Sequence, residues 1–145
     1  MAEYINVEKP FLDKLRQLYW QVIDQGIGVP QDPAKSLRDN FKQVLLPQVF
    51  KDSIKAINKT DDGREWLTDK QLEDILFEIQ NFQGVTLHEA NKAIHRLLLK
   101  GTTVSKNELT GEVSPTVRLV DFKNWDKNSF IAINQFRLLT PGASR

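Results

Sequence analysis

Thr116-Val117-Arg118-Leu119-Val120-Asp121-Phe122 and, beyond a turn-forming cluster at Asn124 to Asn128, Ser129-Phe130-Ile131-Ala132-Ile133-Asn134-Gln135-Phe136-Arg137-Leu138-Leu139 decide the expected fold. The first stretch is short, rich in β-formers and preceded by Pro115. The second is longer, and Pro141 and Gly142 end it. Together they predict an antiparallel β-hairpin over about 116–139. Val117 and Leu119 share one face of the first strand, and Val120 and Phe122 the other. The second strand sets Ile131 and Ile133 against Phe130, Ala132, Phe136 and Leu138. Both faces are partly apolar, which suits strands inside a larger covered sheet. A lone two-stranded ribbon is marginal in water. The expectation is therefore a sheet that stops midway, with an open edge along residues 129–139 that invites self-association.

Outward from this hairpin, residues 8 to about 101 read as helical. A first helix starts near Pro10, carries an apolar stripe of Phe11, Leu15, Leu18, Tyr19 and Val22, and stops at Gly26. A second runs from about Ser36 to Asn58 and is kinked or broken at Pro47, where the stripe shifts from Leu37, Phe41, Val44 and Leu45 to Phe50, Ile54 and Ile57. Thr68 and Gln71 form a capping box for a third helix, stapled by Leu67 and Leu72 and followed by Gly84. Thr86 and Glu89 repeat the device for a fourth, with Val85 set to pack on Ala90 and Gly101 as terminator. Thr102 to Pro115 reads as a polar segment. The fold class is α+β: N-terminal helices packed on an antiparallel hairpin, in one domain or a piece of one over 1–145.

Composition narrows the function classes. Twenty Lys and Arg oppose nineteen Asp and Glu, a net charge of +1, so no global field favours nucleic acid. Cysteine is absent, which removes disulfides, thiolate metal sites and cysteine nucleophiles. No apolar run approaches the roughly 18 residues that span a bilayer. Met1 to Pro10 lacks the basic head and apolar run of a signal peptide. A cytoplasmic protein away from membranes is the expectation.

Candidate chemistry is sparse. His88 and His95 stand seven residues apart, or ~10 Å along a helix. That is too far for one ion, and they read as surface imidazoles. Asp61 and Asp62 read as a solvated turn. Glu73, Asp74 and Glu78 read as a solvated helix face rather than a Mg²⁺ site. Neither G-x-x-x-x-G-K-[ST] nor G-x-G-x-x-G occurs. Asp121 stands out as a carboxylate in an apolar strand. It reads as a structural group supplied with donors by Asn134, Gln135 or Arg137, with a catalytic role as the alternative. No complete active site is legible, so catalytic, cofactor-binding and metal-binding residues are all expected to be none.

One resemblance adds to this. Asn107-Glu108-Leu109-Thr110-Gly111-Glu112, the run Thr116 to Asp121-Phe122, and Phe130 to Asn134-Gln135-Phe136 closely resemble a stretch of type I restriction enzyme R subunits. Lys9-Pro10, Gly63 to Thr68 and Ala93 to Gly101 look similar as well. The signature positions are Asp121, Phe122, Asn134, Gln135 and Phe136. The resemblance implies the incomplete start of a PD-(D/E)xK-type nuclease domain, followed in the full-length family member by two helicase-like motor domains. It implies Mg²⁺ for cleavage, ATP for DNA translocation, and DNA together with methylation and specificity subunits as partners. In that family a Pro-Asp motif comes just after the region matching Asn134 to Gly142, and a Glu-x-Lys about a strand later. Both would lie beyond Arg145, and motor motifs are absent. The expectation is an N-terminal fragment that needs no cofactor itself and cannot cut DNA alone.

Two other readings stay open. A winged-helix DNA-binding module would use the fourth helix for recognition, with His88, Asn91, Lys92, His95 and Arg96, and would tip its wing with Lys123 and Lys127. A protein-docking module of the restriction complex is the third.

Overall fold

The computed structural model describes residues 1–82 and 86–140. In chain order the elements are α1 (Lys9–Gln17), β1 (Gln21–Ile23), α2 (Pro47–Ile57), α3 (Asp69–Gln80), α4 (Leu87–Lys100), β2 (Thr102–Thr103), β3 (Thr116–Val117) and β4 (Ile131–Ile133). The mixture of helices with small sheets agrees with the α+β reading. The chain divides into two units: Met1–Leu46 with Ser129–Arg145, and Pro47–Asn128.

Within the unit Pro47–Asn128, α2 and α3 pack through Ile54, Ile57, Leu72 and Ile75, with Leu67 and Val117 completing a buried cluster. Pro47 opens α2, a position where its missing N–H is no loss. Both capping boxes form. Thr68 Oγ1 accepts from the Gln71 backbone N–H at 3.2 Å, and Gln71 Oε1 accepts from the Thr68 N–H at 3.0 Å. Thr86 and Glu89 make the same exchange at 3.2 and 3.1 Å. Leu67 is buried beside Leu72, as a staple requires. The expected Val85 contact and the Gly84 stop lie outside the described residues, as do Pro141 and Gly142. Gly101 ends α4 with φ +77°, and a Cβ there would stand 2.3 Å from the Val117 carbonyl oxygen. Only glycine allows the chain to leave α4 and run directly along β3.

The expected 116–139 hairpin does not form. β3 pairs antiparallel with β2, Thr102 opposite Val117 and Thr103 opposite Thr116. The hairpin therefore lies one strand earlier and turns through the segment read as merely polar. Asn107 Oδ1 accepts from the N–H groups of Leu109 and Thr110, and Asn107 and Gly111 close the turn by backbone bonds. Asn58 pins the hairpin to α2. Its Oδ1 accepts from the Arg118 N–H, and its Nδ2 donates to the carbonyls of Ile54 and Arg118, all at 2.8 Å. Beyond Arg118 the chain curls around Asp121 instead of extending. The wing expected over 116–139 with Lys123 and Lys127 at its tip does not form for the same reason, and the hairpin that follows α4 is the Thr102–Val117 one.

Within the other unit, β4 pairs parallel with β1: Gln21 with Ile131, Val22 with Ala132, Ile23 with Ile133. Val22 thus belongs to a strand, not to the first helix. A π-helical turn at Tyr4–Glu8 leads into α1. The helix ends at Gln17 because Tyr19 adopts φ +64°. The Trp20 N–H then reaches the Leu15 carbonyl and the Tyr19 N–H the Arg16 carbonyl, a Schellman ending with tyrosine where glycine is usual. Leu12 is buried, whereas Phe11, Leu18 and Tyr19 of the expected stripe are exposed. Residues 37–46 are not helical. Leu37 takes φ +59°, and Arg38 is buried and holds its own loop. β4 stops at Ile133 rather than running to Leu139, because Gln135 takes φ +49°.

Gly101→Ala should destabilise the protein more than Gly111→Ala does, by about 1–3 kcal/mol in denaturant unfolding. Both residues have φ near +78°, at +77° and +79°, but only the Gly101 Cβ meets backbone.

Candidate functional site

The signature positions fall into two clusters, one in each unit. Asp121 lies in the unit Pro47–Asn128 and is 0% exposed. Its Oδ1 accepts from the backbone N–H groups of Lys123 and Asn124, both at 3.0 Å, and its Oδ2 from the Asn124 amide at 3.4 Å. Arg118 Nη1 stands 3.5 Å away. Asn128 closes the turn reciprocally: its Oδ1 accepts from the Asp121 N–H and its Nδ2 donates to the Asp121 carbonyl, each at 2.8 Å. The donors are therefore local and differ from the Asn134, Gln135 and Arg137 set expected from the sequence. A carboxylate held by backbone N–H groups stays ionised. The Asn124 N–H, then the Lys123 N–H, the Asn124 amide and the Arg118 charge, hold the Asp121 carboxyl below the usual range against the opposing effect of burial. Phe122 meets Trp125 edge-on at 5.8 Å, and both stay largely exposed. This geometry gives Asp121 the job of bending the chain.

Asn134, Gln135 and Phe136 lie in the other unit, directly after β4. Asn134 Oδ1 accepts from the Gln25 N–H at 2.7 Å. Its Nδ2 reaches Glu8 Oε2 at 3.1 Å and Asp24 Oδ1 at 3.2 Å. The left-handed turn at Gln135 brings its amide to the same carboxylate, 2.8 Å from Glu8 Oε1. Gln25 Nε2 answers by donating to the carbonyls of Asn134 and Gln135. Asp24 also accepts from the Tyr4 hydroxyl at 2.7 Å and from the Gly26 N–H at 2.9 Å. The Tyr4 hydroxyl foremost, then Gly26 N–H, the Asn134 amide and the Arg16 charge, keep the Asp24 carboxyl below its usual range while burial opposes them. Phe136 lies under the Arg38 guanidinium, 3.7 Å from carbon to ring centre. Arg137 covers Phe41 at 4.7 Å and donates to the Pro30 carbonyl.

Three consecutive residues thus fasten the end of β4 to the Tyr4–Glu8 turn, to the end of β1 and to the loop around Arg38. Beside the lock, a cavity of about 350 Å³ opens between α1 and β4. Phe11, Leu12, Leu15, Trp20 and Ile131 make it apolar, with Glu8 and Asn134 at its polar end. Nothing in the sequence marks the part that Glu8, Asp24, Gln25 and Arg38 play in the lock, because Asn134, Gln135 and Phe136 lie about a hundred residues downstream.

The remaining candidates stay apart. His88 and His95 are exposed. Asp62 accepts from the Thr60 hydroxyl and pairs with Arg64, which makes the 60–64 segment an ordinary turn. Glu73 pairs with Lys51, Asp74 with Lys70, and Glu78 accepts from Thr102. Glu8 and Asp24 do not fit a Mg²⁺ site as they stand, since side-chain amides, a hydroxyl and a backbone N–H already engage their oxygens. Among the described residues no group of three or more His, Asp or Glu side chains gathers where one ion could sit. No helix among them is long and apolar enough to cross a membrane.

Residues 2–145 match the family model described as the type I restriction enzyme R protein N terminus, and the chain belongs to that family. Over 111 residues it is 26% identical to a Methanocaldococcus jannaschii protein described as a type I restriction enzyme MjaIXP endonuclease subunit, covering 77% of this chain and 10% of that protein. Over 133 residues it is 23% identical to the type I restriction enzyme HindI endonuclease subunit of Haemophilus influenzae, covering 92% of this chain and 12% of that protein. The chain spans about a tenth of the length of the curated relatives it matches. No solved structure matches it.

Asp121→Asn should lower stability at neutral pH and flatten its loss in acid. A carboxyl whose folded pKa is depressed contributes stability above the unfolded value, about 3.9, and loses that contribution as pH falls through the folded value. Chemical denaturation of both forms across the acid range reads the difference, and parallel pH profiles would contradict it.

Proposed function

We propose that this member of the R protein N-terminal family serves as the opening portion of the R subunit of a type I restriction endonuclease, with the unit built on β1 and β4 beginning a PD-(D/E)xK-type nuclease domain. The observation that carries this reading is the family match over residues 2–145. In the full-length protein, Mg²⁺ supports cleavage and ATP drives translocation along DNA. Methylation and specificity subunits complete the assembly in the cytoplasm. The chain by itself does not cut DNA.

The β1–β4 pair supports the nuclease part of the reading. Parallel strands occur almost only in sheets covered on both faces. Here they form a ribbon of three residues a side, and β4 has one paired neighbour among the described residues. A ribbon this short is a start on which further strands can build. An edge of this kind also accepts a strand from another copy.

A plasmid assay tests activity. The purified chain with Mg²⁺ and ATP should leave supercoiled DNA intact, and nicking above a buffer control would show the proposal of inactivity wrong. Sedimentation velocity tests the edge: association through β4 should grow with protein concentration, accompanied by slower hydrogen exchange at Ile131 to Ile133. A strictly monomeric chain with those amides unchanged would remove the edge from the account.

A further inference from the structure

A second cavity lies wholly within the unit Pro47–Asn128. It is an open cleft of about 410 Å³ between the end of α2, the turn that follows it and the Thr102–Val117 hairpin. That is the size of pocket that takes small ligands. Its chemistry is mixed in a specific way. Trp66 packs against the buried cluster of α2 and α3 and also lines the cavity, so the indole is held in place. Asn107 is 4% exposed and lines it too. Its Oδ1 is committed to the N–H groups of Leu109 and Thr110, which fixes the amide, and its Nδ2 has no partner among the described residues. A nearly buried donor left open toward a cavity is a group waiting for an acceptor. Lys59, which makes no ion pair among the described residues, adds a cation, while Asp61 and Glu112 add carboxylates; Arg118 also lines the cavity, with its guanidinium already held by Asp121 and the Ile57 carbonyl.

We propose that this cavity binds a nucleotide, with its base against Trp66, an acceptor on the base edge bonded to Asn107 Nδ2, and its phosphate toward Lys59. The choice follows by elimination among ligand chemistries. An apolar molecule would strand the Asn107 amide and the charged groups. A bare anion would meet two carboxylates beside one cation that lacks an ion pair. A planar ring carrying both acceptors and donors, with one anionic group attached, answers every one of these features. Aromatic stacking also tolerates any base, so recognition is by class rather than by sequence. The nucleotide can be free or part of a single strand, since both present the same ring and phosphate. The inference stands on the cavity alone and survives or fails independently of the restriction-enzyme reading.

NMR titration of the full chain tests it, following the Trp66 indole N–H and the Asn107 side-chain amide. Thymidine monophosphate should shift both saturably at millimolar concentration or below, whereas inorganic phosphate and deoxyribose 5-phosphate should not. Trp66→Leu, read at the Asn107 amide, should weaken binding about tenfold or more. Lys59→Glu should weaken it as well, and Lys70→Glu, on the exposed face of α3, should not. A short oligothymidylate that binds tighter than the monomer assigns the site to single strands, and equal binding assigns it to free nucleotides. The proposal is overturned by the absence of a saturable shift, by an equal shift with phosphate alone, or by binding that Lys59→Glu leaves intact. That last variant is exposed, so it decides the matter even where Trp66→Leu does not fold.

Discussion

The Asn134 side chain is the constraint on which the first unit depends. A parallel pair of three-residue strands has little hydrogen bonding of its own, and its partners are separated by about the whole second unit in sequence. One amide closes that gap. It accepts from the N–H of Gln25 and donates to Glu8 and Asp24, so it addresses the end of β1 and the start of the chain together. Gln135 can join only because its backbone turns left-handed, which ends the strand. The interruption of β4 and the assembly of the lock are therefore one event. Within this network Gln25 Oε1 is buried without a partner among the described residues, and that atom costs desolvation without return.

Within the second unit, α2 packs with the short turn at Trp125–Lys127. Asp121 matters here. By gathering the backbone donors of Lys123 and Asn124 and exchanging bonds with Asn128, it turns the chain back toward α2.

What the sequence made readable was local. Thr68 with Gln71 and Thr86 with Glu89 announce helix starts because each box lies within four residues, and Gly101 announces a stop because left-handed backbone favours glycine. What escaped was set at long range. Val22 looks like one more residue of an apolar stripe until Ala132, 110 residues later, pairs with it. Residues 116–139 alternate like a hairpin, yet the Asp121 turn between them outcompetes the pairing. The hairpin at Thr102–Val117 was hidden by its polarity, although Asn107 and Gly111 are turn residues in plain view. The resemblance drew attention to Asp121, Asn134, Gln135 and Phe136 without saying why those types were needed. In this structure each is a fastener. Their partners Glu8, Asp24 and Arg38 lie about a hundred residues away in sequence, which leaves the pairings unmarked.

Arg38 uses a different kind of fastening. It is 3% exposed, donates to Ser36 Oγ and to the Gln43 carbonyl, and lies over the ring of Phe136 with Nη2 bonded to nothing among the described residues. Its charge is compensated by π-electron density in place of a carboxylate. Guanidinium keeps its proton at any ordinary acidity, and a ring has none to gain or lose. Counter-ions in solution cannot screen a contact sealed from them. The clasp between the 36–43 loop and the residue after Gln135 therefore holds equally in dilute buffer and in brine, while the ion pairs on the surface of α1 and α3 fade.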